Sequence, residues 1–258
     1  MKKTLSILSA TVLIISCLCS CGNKDSSETI SSVKDLAGKT VGTQLGTTGY
    51  KCAGELKDVK VEKYKDGFEA VQALEDETVD AVIIDELTAQ ELVSDKENLK
   101  ILSDPFQEEE YAIAYKKGNT ELGQKLDDTI TKLKRDGTIA SISKHWIGSN
   151  PDRKSYEPKD VTRTGTLVMA TNADFPPYED KVNGEIVGFD VDLAMAICDE
   201  LGMELKIDDL NFNSVITALT FDEADIGLAG ISVTPERQEV VDFTQGYAIS
   251  SQVIIVRK

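Results

Sequence analysis

The sequence predicts an α/β protein made of two lobes, each carrying a mostly parallel sheet. Three observations lead there. After residue 38, short β-branched runs alternate with helical patterns nearly everywhere, the order that helix-covered parallel strands require. GFEAVQALEDETVDAVIID from Gly67 and FNSVITALTFDEADIGLAG from Phe212 align without a gap, pairing Ala73-Leu74 with Ala218-Leu219 and Asp80 with Asp225. Many helix-strand units share such a pattern, so the echo supports two like-built lobes without requiring them. At 258 residues the chain also passes the size, about 250 residues, at which single cores stop growing.

The chain opens with Lys2 and Lys3, an apolar run from Leu5 to Leu18, and then small residues, a pattern too short to span a bilayer and typical of a signal peptide. Leu18-Cys19-Ser20-Cys21 resembles the lipobox of bacterial lipoproteins, which implies cleavage before Cys21 and a lipid on its thiol. A plain secretory peptide is the other reading. The polar stretch Gly22 to Ser27 favours the lipoprotein, because an anchor needs a tether. Residues 1–20 are then the leader and 21–35 the tether.

Each later element has its own local signal. Thr40 to Gln44 is a strand, and Gly46-Thr47-Thr48-Gly49 turns into a helix. Val59–Tyr64, Gly67–Glu75, Val79–Ile84 and Glu86–Ser94 read as strand, helix, strand and helix, followed by strands Leu99–Leu102 and Tyr111–Tyr115. From Thr120, taken as N-cap, a helix lines Leu122, Leu126, Ile130 and Leu133 on one stripe until Gly137 stops it. Ile139–Ile147 is a second helix carrying Trp146, read as a packing anchor. Beyond the polar stretch Ser149–Thr164 come strand Thr166–Ala170, helix Val191–Leu201, strand Glu204–Ile207, helix Asn213–Leu219 and strand Asp225–Ala229. A helix from Pro235 and a strand Gln252–Val256 finish the chain.

Composition limits the partners. The formal charge of -17 becomes two units more negative once Lys2 and Lys3 leave with the leader, so nucleic acid and anionic lipid surfaces are repelled. Cys52 and Cys198 remain in the folded part, Cys198 as a small hydrophobe on a helix face, with no bridge expected between them. No metal-ligand spacing occurs around the single histidine, His145, and no cofactor is called for. Gly42-Thr43-Gln44-Leu45-Gly46-Thr47-Thr48 lacks the lysine before Ser or Thr that a phosphate loop needs. Glu108 to Glu110 reads as a solvated face, and Asp190 and Asp192 as favourable charges at a helix start.

TLVMATNADFPPYE, GEIVGFDVDLAMAI and AGISVTPERQEVVDFT resemble the first lobe of extracytoplasmic amino-acid-binding proteins of ABC importers, and VKDLAGKTVGTQLGTTGY, VDAVIIDELTA and KLKRDGTIASISKHWIG resemble later parts of the same family. The resemblance implies a two-lobed type II periplasmic-binding-protein fold, circularly permuted so that the usual second lobe comes first. Residues 36–105 would be that second, smaller lobe and 106–258 the larger first lobe, with 149–164 joining the old ends. One crossing between lobes is then expected near Pro105 to Glu110, with Lys258 a free end beside the hinge and a larger open population than in an unpermuted relative.

The resemblance also implies a site for a zwitterion. Arg237, in Thr234-Pro235-Glu236-Arg237 at a helix start, would grip the carboxylate with its fork, although a surface arginine paired with Glu236 or Glu239 is the plainer reading. Asp85 ends an apolar strand at the sheet's carboxyl edge and would take the ammonium, or cap the next helix. Gly230 and Ser232 would present a carbonyl, a hydroxyl and an amide, and Thr47 and Thr48 would reach the carboxylate from the other lobe. Phe175 and Phe212 match positions that clasp the ligand's side chain. Asn172 stands where an acid is common, and Gln44 reads from the opposite lobe, so a neutral polar amino acid is expected, with Asp174 leaving cationic ones partly open.

The function implied is a lipid-anchored receptor, a monomer, that hands a free amino acid to permease subunits of an ABC importer without chemistry. A lobe-swapped dimer is the alternative assembly. Dehydratases share this architecture, and turnover of prephenate or arogenate would mark one; a sensory domain is a third class.

Overall fold

The computed structural model describes residues 29–105, 107–148 and 156–258. Its strands form two large sheets and a hairpin. The first sheet holds β1 (Thr40–Gln44), β2 (Lys60–Tyr64), β3 (Ala81–Asp85), β4 (Leu99–Ile101), β5 (Gln107–Tyr111) and, last in the chain, β13 (Ala248–Arg257). β1, β2 and β3 run parallel, while β13 lies antiparallel to β3, β4 and β5. Helices α1 (Thr48–Glu55), α2 (Gly67–Glu75) and α3 (Glu86–Val93) connect these strands. Apolar side chains bury on both faces, Val71, Leu74 and Ile84 in one cluster and Leu36, Val41 and Ile83 in another.

The second sheet has the order β10, β7, β11, β6, β12, with β6 (Ala114–Lys116), β7 (Thr166–Thr171), β10 (Glu204–Asp209), β11 (Ile226–Gly227) and β12 (Val241–Phe243). α4 (Thr120–Arg135), α5 (Thr138–Trp146) and α6 (Phe189–Leu201) share the largest cluster, which joins Leu126, Ile130 and Leu133 to Leu167, Met169 and Ile197. α7 (Phe212–Thr220) belongs to a separate cluster with Ala170, Ala229 and Val241, and α8 (Pro235–Gln238) leads into β12. The hairpin of β8 (Asp180–Val182) and β9 (Glu185–Val187) and the strand β12 carry too few apolar residues to announce themselves in sequence. The predicted strand 111–115 divides into β5 and β6, and the cap of α4 is Asn119, whose side chain accepts from the Leu122 amide at 3.3 Å, rather than Thr120.

The internal echo is structural. Asp80 and Asp225 each accept a hydrogen bond, at 2.8 Å, from the backbone of the neighbouring parallel strand, Thr40 in β1 and Val168 in β7. Glu77 and Asp222, aligned by the same offset, both turn with positive φ, 57° and 59°. One helix-turn-strand unit is therefore used once per lobe, each time clamped to its neighbouring strand by the same carboxylate.

Two expectations about the lobes do not hold. β13 was placed with residues 106–258, yet it inserts between β3 and β4 of the first sheet, in the register Gln252 to Asp85 and Ile254 to Ile83. Val253 to Val256 are all buried there, so apolar burial on both faces fixes its position. The chain consequently crosses twice, at β5 and at the start of β13, and these two strands pair with each other from Ala248–Tyr111 to Gln252–Gln107. The single crossing, and the enlarged open population drawn from it, are replaced by a two-stranded hinge.

Residues 149–155, part of the joining stretch, lie outside the described residues, as do 1–28 with the leader, most of the tether and Cys21. Residues 156–164 are strapped to the end of α6: the Tyr156 hydroxyl and the Lys159 amide donate to Asp199 at 2.9 and 2.7 Å, and Arg163 pairs with the same carboxylate. Trp146 is buried and also donates, through Nε1, to Asp192 at 2.6 Å. Cys52 and Cys198 are both free and buried, with their thiols pushed up to about 11 and about 12 by burial.

Candidate functional site

The two sheets meet at a small cavity lined by Gln44, Thr47, Thr48 and Asp85 from the first lobe and by Phe175, Phe212, Ala229, Gly230, Ser232 and Arg237 from the second. Of the ten residues expected from sequence, nine line it. The tenth, Asn172, lies directly behind, accepting from Gln44 Nε2 at 2.8 Å. The cavity measures about 10 Å³, roughly the room of one water. The lobes are closed on each other here, and a ligand the size of an amino acid enters only if they part. A larger depression of about 400 Å³ lies between α2–α3 and Pro176, but its one lining cation, Lys96, is already paired with Glu75 at 2.7 Å.

Strand ends and helix starts bring these groups together. Asp85 is the last residue of the fully buried β3. It is 5% exposed and makes no side-chain cap to α3; instead it accepts from the Tyr111 hydroxyl and, at 3.4 Å, from that of Ser250. Burial, and then the neighbouring Glu109 carboxylate, hold the Asp85 carboxyl well above the usual range, with the Tyr111 and Gln252 hydrogen bonds opposing. Thr47 caps α1, accepting from the Tyr50 amide at 3.1 Å, which leaves the first amides of the helix facing the cleft.

Arg237 stands on the single turn of α8, whose cap Thr234 accepts from the Arg237 amide at 3.3 Å. Its guanidinium donates to the Ser232 carbonyl at 2.7 Å and, across the cleft, to the Gly46 carbonyl at 3.1 Å, and it lies 5.4 Å over the Phe212 ring. It pairs with neither Glu236 nor Glu239; Glu236 pairs instead with Lys51 of the first lobe at 2.5 Å. Burial lowers the Arg237 pKa, opposed first by Glu109 and then by Asp85.

Gly230 turns at φ 53°, and a Cβ there would sit 2.5 Å from Phe175 Cε1, so only glycine lets the chain pass the ring. Its amide donates to Asp190 at 2.9 Å, and the Tyr247 hydroxyl donates to the same carboxylate at 2.8 Å. Asp190 and Asp192, expected as favourable charges at a helix start, do stand in the first turn of α6 and are in addition buried. Phe175 stacks on Tyr178 at 5.5 Å. Asp174 lies within 3.7 Å of Lys65 and 3.8 Å of Lys181.

Sequence reasoning missed Tyr111, Glu109 and Gln252. Glu109 was read as part of a solvated face but is 8% exposed, because β5 alternates and pairing with β13 turns Glu109 and Tyr111 inward. The period-two pattern Gln107-Glu108-Glu109-Glu110-Tyr111 held that signal only in part, since three acids in a row look the same from either face.

Residues 167–258 match the family model of bacterial extracellular solute-binding proteins, family 3. Among curated relatives, the arginine-binding extracellular protein ArtP of Bacillus subtilis (strain 168) is 44% identical over 92 residues, 36% of each chain. The L-cystine-binding protein TcyJ of Escherichia coli (strain K12) is 32% identical over 129 residues, 49% of this chain and 48% of that one. The match thus spans from about a third to a half of these relatives' lengths. Domain 1 from TmArgBP, solved in its arginine-bound form, is 42% identical, covering 36% of this chain and 81% of that one with a TM-score of 0.32.

Proposed function

We propose that the chain, whose residues 167–258 match the family model of bacterial extracellular solute-binding proteins, family 3, captures a free α-amino acid between its lobes and presents it to the permease subunits of an ABC importer. Arg237 takes the ligand's carboxylate in two parallel bonds, together with the amides and hydroxyls of Thr47 and Thr48. Asp85 takes the ammonium, with the Gly230 carbonyl and the Ser232 hydroxyl completing its hydrogen bonds. Phe175 and Phe212 hold the side chain between aromatic faces.

One observation carries this reading: a half-buried cation, Arg237, and a buried acid, Asp85, supplied by different lobes, line the same cavity. On opening, Arg237 releases the Gly46 carbonyl. Closing over a zwitterion replaces that bond with a charge-assisted pair, so affinity resides in the closed form. The side chain we assign is neutral and polar. The buried Gln44–Asn172 amide pair supports it, as does the commitment of Asp174 to two lysines. The relatives named above bind arginine and cystine, and both belong in the test.

We further propose that the leader is removed and Cys21 lipidated, tethering a monomer to the outer face of the membrane, and that the lobe order is a circular permutation. Ile30 and Val256 share one core cluster, which supports the permuted order. The test is a thermal-shift screen against the common amino acids and cystine: a ligand held at a hundred times its Kd adds about 2.7 kcal/mol. No shift with any of them overturns the reading.

A further inference from the structure

Behind Asp85 lies a second acid that binding a zwitterion does not require. Glu109 is 8% exposed; its Oε1 accepts from Gln252 Nε2 at 2.6 Å, and its Oε2 is buried without a partner. Gln252 pairs in register with Asp85 on one side and Gln107 on the other, which brings β5 and β3 to either flank of β13 and sets the two carboxyls close together. The titratable and charged groups facing the pair are Tyr111 on the same strand as Glu109, Cys52 on α1, Tyr178, and Arg237 on α8. Only Arg237 is a cation, and one cation balances one carboxylate.

We infer that the Asp85 carboxyl, with Glu109 beside it, keeps its proton until a ligand ammonium docks, and that docking drives this proton out to solvent. The inference rests on the proposed reading of the site. Burial first, and then the adjacent Glu109 carboxylate, hold the Asp85 carboxyl well above its ordinary range. When the ligand arrives, its carboxylate engages Arg237 and the amides at the start of α1, while its ammonium sets a positive charge against the pair. That charge favours ionised Asp85; the O–H bond breaks, its electrons stay on the carboxylate and the proton passes to water. Glu109 acts through Asp85 and is a positioning residue. By linkage, affinity rises with pH while Asp85 loses its proton, by at most about tenfold per pH unit for one proton released.

The test is calorimetric titration of the full chain with L-glutamine, and with L-arginine in parallel, from acid to mildly alkaline pH in two buffers of different ionisation enthalpy. Affinity that rises with pH, with proton release to the buffer, is expected of the native protein. In Glu109→Gln, where the Gln252 bond keeps an acceptor and Asp85 stands as the single acid, both effects should shrink, with burial alone still holding the Asp85 carboxyl up. Binding with a flat pH profile and no proton release overturns the inference alone, and the native protein decides that by itself even if the variant folds poorly. An unchanged profile in a folded Glu109→Gln also overturns it. Failure of every amino acid to bind at any pH overturns the proposed function and this inference together.

Discussion

At the scale of single residues, the site sets charged groups in places where water would otherwise serve them better. Arg237 is satisfied by two carbonyls, one from each lobe, so it is positioned before any anion arrives. Truncating one partner of a buried charge pair costs about 2–5 kcal/mol. Arg237→Ala is therefore expected to weaken the best ligand by about 30-fold to several thousandfold, at about 1.4 kcal/mol per factor of ten, measured by calorimetry. Asp190 gives a pH-dependent term. Burial pushes it up to about 6, against the Gly230 and Tyr247 bonds, and the adjacent Glu179 is raised by burial and then by Asp190 itself. With folded-state values raised, the native chain binds more protons than the unfolded one, so the stability this pair contributes falls as pH rises from about 4 through about 6. Asp190→Asn keeps an acceptor for Gly230 and should reduce the fall in unfolding midpoint between acid and neutral pH. An undiminished fall would assign it to other groups.

At the scale of elements, most of what forms was written locally. Asp66 caps α2 by accepting from the Glu69 amide at 2.9 Å, Asn119 caps α4, and Gly137 at φ 83° separates α4 from α5. The stripe Leu126, Ile130, Leu133 is fully buried against the second sheet. Ile130→Ala removes apolar volume from a packed core and should cost about 2–5 kcal/mol, read as a lower urea midpoint with an unchanged slope. The strand Gln252–Val256 was legible, but the partners of β13 were not, because a ten-residue strand buried along most of its length pairs with whichever edges are available. Its alternation does not name β3 and β4 as neighbours. The same pairing turned Glu109 inward, where three successive acids had left the facing undetermined.

At the scale of the whole molecule, two lobes share one hinge and one closed cleft. The Lys51–Glu236 pair spans the lobes, but both side chains are about half exposed or more, and such exposed pairs add little. Closure must rest on the buried contacts at Gln44, Asn172 and Arg237. Thr29 and Ile30 line one surface depression with Val256 to Lys258, so the two ends of the described fold are neighbours. A rearranged chain that runs from Tyr156 through Lys258, by a short flexible linker, to Ile30 and ends at Gly148 should fold and keep its ligand-dependent thermal shift, since neighbouring ends tolerate such relinking. Loss of the fold by circular dichroism would show that 149–155 does more than join its flanks.

The sequence alone determined the α/β class, the repeated helix-strand unit with Asp80 and Asp225, and, through the motifs that carry its resemblance, the identity of nine residues that line one cavity. Those features are local: each depends on a side chain and a few neighbours along the chain, or on a motif carried within one segment. Tertiary structure alone decided that β13 belongs to the first sheet, that the hinge has two strands, and that Glu109 lies buried beside Asp85. Strand pairing joins residues far apart in sequence, and a strand's own alternation gives two faces without saying which one the rest of the molecule will cover.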